Sequence, residues 1–204
     1  MGQRGPIALN RELIWTSLTD IGLEHLRLSK NDNEIHADGS ILGVHNDAAF
    51  RVRYQIKCDE NWRARSVVIE SNNAEQKTIN LTSDGLGNWF NESRQTISEF
   101  ENCLDVDISA TPFTNTLPIC RLSLRPDESA EIKVIYFAIP EMETNVEYQQ
   151  YTCLELSGAG SRYKFESLDG GFTAIISTDK DGLVKDYPGL FRRAWINHPA
   201  GMFS

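Results

Sequence analysis

The sequence predicts a single-domain protein built mainly from antiparallel β-strands. Three observations carry this prediction. Apolar residues recur at every second position through several segments. Turn-forming residues interrupt those segments about every ten residues, the spacing of an all-β sandwich or barrel. No long stretch follows a helical period.

Taken in chain order, "RELIWTSL" near the start is short and ambiguous between helix and strand. "ADGS" at 37–40 carries an Asp-Gly turn signal. "AAFRVRYQIKCD" alternates cleanly: Phe50, Val52, Tyr54, Ile56 and Cys58 share one face, and Arg51, Arg53, Gln55 and Lys57 share the other. "CDEN" at 58–61 then predicts a hairpin whose second strand adds Arg63 and Arg65 to the basic face. "SDGLGN" at 83–88 reads as a turn. In "ENCLDVDIS", Leu104, Val106 and Ile108 oppose Asp105 and Asp107, a strand whose aspartates lie on the polar face. "ATPFTN" reads as a turn, and "TLPICRL" as the start of a helix, with Thr114 or Asn115 as cap and Pro118 in the first turn. Further strands follow at Ile132/Val134/Tyr136/Ala138, Tyr163/Phe165 and Phe172/Ala174/Ile176. "SGAGS" at 157–161, "LDGG" at 168–171 and "DKDG" at 179–182 read as turns.

The chain has 204 residues, enough to bury a core, and no linker divides it, so residues 1–204 read as one domain. Its formal charge of −9 opposes nucleic acid and anionic lipid surfaces. Cys58, Cys103, Cys120 and Cys153 form no C-x-x-C and are expected as buried thiols. The opening segment shows no apolar signal core, and nowhere is there a membrane-spanning apolar run. The expectation is a cytoplasmic protein without stable membrane insertion.

Few motifs carry chemistry. His25, His36, His45 and His198 are scattered, with no zinc-hydrolase spacing, and no G-x-S-x-G elbow is present, so no cofactor or metal is expected. Asp105-Val106-Asp107 sets two carboxylates on one strand face, where they can share a hard cation or simply be solvated. Arg51, Arg53, Lys57, Arg63 and Arg65 concentrate positive charge on an acidic chain, a pattern suited to phosphate, carboxylate or sugar groups. Trp62 beside them is a candidate ligand platform.

"RVRYQIKCDENWRAR", "DGLGNWF", "CLDVDISATPFTNTLPICRL", "YTCLE" and "DGLVKDYPGLFRRA" together resemble the glycolipid-binding family with the spiral β-roll fold. The resemblance implies a many-stranded antiparallel sheet rolled around one central α-helix, a homodimer, and shape similarity to periplasmic lipid and lipoprotein carriers. It brings no catalytic residues. The leading expectation is therefore a non-enzymatic binding protein for an amphiphile such as a glycolipid, held between sheet and helix. The acyl part is expected on Tyr54, Ile132, Val134 and Tyr136, and the head group on Arg51, Arg53, Arg65, Asp105, Asp107, Asn115 and Arg121, with Trp62 close by. An enzyme using Asp105 and Asp107 as metal ligands or as acid and base is the alternative. A homodimeric module without ligand is the third reading.

Overall fold

The computed structural model describes residues 10–31, 33–73 and 75–197; His198 and the opening residues 1–9 lie outside them. One sheet of 14 strands dominates. Its first half is β1 (Asn10–Ser17), β2 (Gly22–Asn31), β3 (Glu34–His45), β4 (Ala48–Asp59), β5 (Ala64–Asn72), β6 (Gln76–Ser83) and β7 (Trp89–Phe90). A crossing segment holds β8 (Asp105–Ile108) and the helix α1 (Thr116–Leu122). The second half is β9 (Ser129–Ala138), β10 (Glu143–Ser157), β11 (Gly160–Ser167), β12 (Thr173–Asp179), β13 (Val184–Tyr187) and β14 (Phe191–Ile196).

The strand order is β7-β6-β5-β4-β3-β2-β1-β14-β13-β12-β11-β10-β9-β8, a meander opened between β7 and β8 and joined in the middle by β1 and β14. Every pairing is antiparallel except β8 with β9. Rolling brings the two free edges together without a ladder between them. The Trp89 indole donates to the Cys103 carbonyl at 2.8 Å, Asn102 N to Gly87 O at 2.9 Å, and Ala64 N to Leu104 O at 3.3 Å. The first two satisfy groups flanking β7 and β8 that would otherwise face solvent or another chain, and the third ties the start of β5 to the segment before β8.

The roll is a spiral because β9 is covered on both faces. Ile135 and Phe137 pack into a core shared with β1–β8, whereas Ile132 and Val134 pack into a second core shared with β10–β13. α1 sits at the junction: Leu117 and Cys120 join the first core and Ile119 the second. Burying such a side chain contributes about 1.5–3 kcal/mol, which is why a helix this short persists. Ser123, in the left-handed region at φ 48°, ends it.

The alternation predicted for β4 is present, with Val52, Tyr54, Ile56 and Cys58 buried and Arg51, Arg53, Gln55 and Lys57 exposed. All four cysteines are buried and none is in a disulfide. One ambiguity is resolved and three expectations are corrected. "RELIWTSL" is strand up to Ser17, with Leu13 and Trp15 in the core. "ADGS" is not a turn but the middle of β3, where Gly39 lies opposite Tyr54. A Cβ at Gly39 would stand 2.1 Å from the Tyr54 ring, so glycine is there for close approach rather than for a bend. Asp105 is fully buried rather than on a solvated face, because β8 is tucked inside the spiral. Neither Thr114 nor Asn115 caps α1 with its side chain.

Candidate functional site

Inside the roll runs a trough of two chambers, one of about 340 Å³ and one of about 330 Å³. They share Ser109, Tyr136 and Phe191 as common wall. Each is at the small end of the range for ligand pockets. The first chamber opens at the rim formed by the β1–β2, β3–β4 and β9–β10 turns, where Ile21, His45 and Glu141 stand. Ile21 is 77% exposed there, and Leu23 beside it is half-exposed. Trp15, Ile41, Phe50 and Ile139 give this chamber its apolar wall. The second chamber is aromatic on one side, with Phe165, Phe172 and Tyr187, and polar on the other, with Asp107, Asn115, Glu147 and Gln149.

One stretch forms much of the shared floor. Asp107, Ile108, Ser109, Ala110, Thr111 and Asn115 all line the trough. β8 holds the first two, pairing Asp107 with Tyr136 and Ile108 with Phe137, so Asp107 and Tyr136 share a face. The turn that follows is held by its own hydroxyls. Thr114 Oγ1 donates to Asp107 Oδ1 at 2.8 Å and accepts from Ile108 N at 3.3 Å. Gln149 Nε2 donates to Asp107 Oδ2 at 2.7 Å. Burial pushes the Asp107 carboxyl above its ordinary range, and these two donors oppose the push. Glu147 is raised as well, by burial first and then by the charge of Asp107.

Glu24 is the most unusual group. It lies on the wall of the first chamber, 3% exposed, in phase with the buried Leu26 and Leu28 of β2. Tyr54 Oη donates to its Oε1 at 2.5 Å and Thr111 Oγ1 donates to the same atom at 2.8 Å. Among the described residues no group bonds its Oε2. Burial raises its pKa from 4.5 to about 7, against the lowering effect of the Tyr54 and Thr111 hydrogen bonds. Across both chambers the charged residue types are acidic apart from His45, which lies 3.4 Å from Glu141; no arginine or lysine is among the lining residues.

The residues singled out by sequence fall in five different places. Asp107, Asn115 and Tyr136 line the trough. Tyr54 stands one step behind its wall, acting through Glu24, while the Asn115 side chain accepts from Tyr151 Oη at 2.8 Å. Asp105 and Arg121 lie off the trough and hold each other: the guanidinium donates Nε to both carboxylate oxygens at 3.1 Å and Nη2 to one at 2.5 Å. The two aspartates thus face different partners and do not converge on one point. Arg51, Arg53 and Arg65 are exposed on the outer face; Arg53 pairs with Asp38 at 2.6 Å, and Arg65 donates to the Ser83 carbonyl at 3.2 Å. Trp62 is buried in the β4–β5 turn at φ 66° and lines neither chamber.

Sequence reasoning missed Glu24, Thr111, Glu147 and Gln149. For Glu24 a signal existed: in "GLEHLRL" a carboxylate keeps step with Leu26 and Leu28, an acidic residue on the apolar phase of a strand. Among the described residues no cluster of three or more His, Cys, Asp or Glu side chains is placed to hold a metal ion.

Fold and site define a class: a mainly β roll, spiralled around one short helix, enclosing an amphiphilic, acid-lined trough. The chain belongs to the family described as "Putative glycolipid-binding", whose model matches residues 12–193. A crystal structure of a DUF1089 family protein from Pseudomonas aeruginosa is similar over 84% of this chain and 91% of that one, at 33% identity and a TM-score of 0.75. A β-barrel-like protein of the domain of unknown function DUF1849 from Brucella abortus shares the fold at 8% identity and a TM-score of 0.58, over 93% and 97% of the two chains. No curated protein matches.

Proposed function

We propose that this protein binds an amphiphile without catalysing a reaction on it, the chain of the ligand lying on the apolar wall of the first chamber and its polar part meeting the buried carboxylates and amides. One observation carries this reading: a trough at the heart of the fold pairs apolar and aromatic walls with the buried polar groups of Glu24, Asn115 and Gln149 and the half-buried carboxylate of Asp107. A roll serving only as scaffold gains more by filling that space with side chains, since voids forfeit packing. The family description supports a glycolipid as ligand. A homodimer and a cytoplasmic location complete the proposal, and sedimentation and cell fractionation test them. No helix among the described residues is long and apolar enough to cross a membrane.

The test of ligand binding is native mass spectrometry of protein purified without detergent, with organic extraction in parallel. A co-purifying amphiphile, or uptake of one offered below its micelle concentration, is the expected result. Protein that neither carries nor takes up any amphiphile refutes the reading.

A further inference from the structure

Glu24 is a costly residue for the place it occupies. A buried carboxylate is destabilising unless its oxygens are hydrogen-bonded. Here the donors are divided unevenly. Oε1 receives both the Tyr54 and the Thr111 hydroxyl, while Oε2 receives nothing from the described residues. Thr111 cannot turn toward Oε2 freely, because its oxygen also accepts from Phe113 N at 3.0 Å. Tyr54 cannot shift easily either, because its ring lies over Gly39. The carboxyl is therefore held in one orientation with Oε2 unpaired and itself buried, just behind the wall of a chamber large enough for a ligand, so that a donor reaches it by a small outward shift of that wall.

We propose that Glu24 Oε2 is the point at which the trough reads its ligand, and that it selects an uncharged amphiphile bearing a hydroxyl donor over one with an anionic head. This rests on the trough being a ligand site. The surroundings support the choice of class. A ligand carboxylate or phosphate in the trough would meet Glu24, Asp107 and Glu147 with no arginine or lysine on the walls to offset them. A sugar or polyol hydroxyl meets acceptors instead, and a head group long enough to extend from the first chamber into the second finds the aromatic wall of Phe165, Phe172 and Tyr187 there for its ring faces.

The experiment titrates three amphiphiles of equal chain length into wild type, Glu24→Leu and Glu24→Gln: octyl glucoside, its fully O-methylated twin, which has no donor, and octanoate. Binding is followed by the fluorescence of Trp15, which lines the first chamber. Nile red, a neutral apolar dye, reports whether the chamber is intact and accessible in each variant. Wild type is expected to prefer octyl glucoside over the methylated twin, and over octanoate, by about tenfold or more, as a hydrogen bond to a buried carboxyl implies. In Glu24→Leu the preference over the twin is expected to fall to about one while Nile red still binds. Glu24→Gln, with a hydrogen-bonding amide in the same shape, keeps part of it. If wild type binds the two glucosides equally, or Glu24→Leu keeps the preference, the role given to Glu24 is overturned and the trough remains a binding site. If no probe enters wild type, including Nile red, both readings fall together.

Discussion

Replacing Glu24 by glutamine removes a titrating group from the core and leaves its shape in place, so the pH dependence of stability isolates the carboxyl. In the folded protein burial holds this carboxyl at about 7, against 4.5 ordinarily. Each tenfold change in proton affinity corresponds to about 1.4 kcal/mol, so a fully ionised Glu24 costs the fold about 3 kcal/mol relative to the protonated form. The direction follows from proton counting. Between pH 4.5 and about 7 the folded state keeps a proton that the unfolded chain has released, so stability falls as pH rises through that window. Below it both states are protonated and the contribution is fully present; above it both are ionised and the loss is complete. Asp105, Asp107 and Glu147 are raised by burial too and act in the same direction, but they are common to both proteins and cancel in the difference. Tyr54, the titratable side chain bonded to Glu24, is raised well above its ordinary value and stays protonated throughout. Urea unfolding of wild type and Glu24→Gln at intervals from pH 4.5 to 8.5 is the assay. The variant is expected to gain about 3 kcal/mol on wild type across the series, most of it between pH 5 and 7.5. A difference that is constant with pH refutes a buried Glu24 carboxyl with a raised pKa.

Two further outcomes follow from the packing. Arg121→Met leaves the Asp105 carboxylate buried without its partner and is expected to cost about 3–5 kcal/mol at neutral pH. In a cycle with Asp105→Asn the double variant should lose less than the sum of the singles, and strict additivity in urea unfolding would contradict the pairing. Gly39→Ala forces a methyl against the Tyr54 ring and is expected to cost about 1–3 kcal/mol. Circular dichroism melts showing it within 0.5 kcal/mol of wild type, on the scale that marks neutral substitutions, would mean the ring moves aside freely.

Alternation was the most legible signal, and its limits explain what was not legible. In β4 the two phases differ so sharply, valine and tyrosine against arginine and lysine, that the buried face is unambiguous. In β8 and β9 the phases also separate, but the spiral buries both, so Asp105 became internal and Ile135 and Phe137 joined a different core from Ile132 and Val134. No local pattern reports how far a sheet winds over itself. Arg51, Arg53 and Arg65 were correctly grouped as polar positions of adjacent strands, yet only the closure of the roll puts that face outside, where Asp38 already neutralises Arg53. Asp-Gly in "ADGS" reads as a turn from sequence because positive φ is one use of glycine and close approach is another; only the facing Tyr54 tells them apart. Glu24 escaped notice because Leu23 gives the opposite phase of β2 an apolar residue as well, masking which phase is inside.

The stretch from Asp105 to Pro118 shows why fold and site cannot be separated in this protein. Its hydroxyls bind two of the carboxylates of the trough, Thr111 to Glu24 and Thr114 to Asp107, and the same oxygens accept the Phe113 and Ile108 amides that shape the turn into α1. Each threonine thus uses its donor on the trough and its acceptor on the backbone. A change in the trough that alters Glu24 or Asp107 is transmitted directly to the segment that carries β8 into the helix, the point where the two cores meet. A ligand that takes the open oxygen of Glu24 also relieves a group whose ionisation opposes folding. Occupancy of the trough and stability of the roll are therefore linked, and a ligand of the class proposed raises the unfolding midpoint most where Glu24 is ionised, above about pH 7.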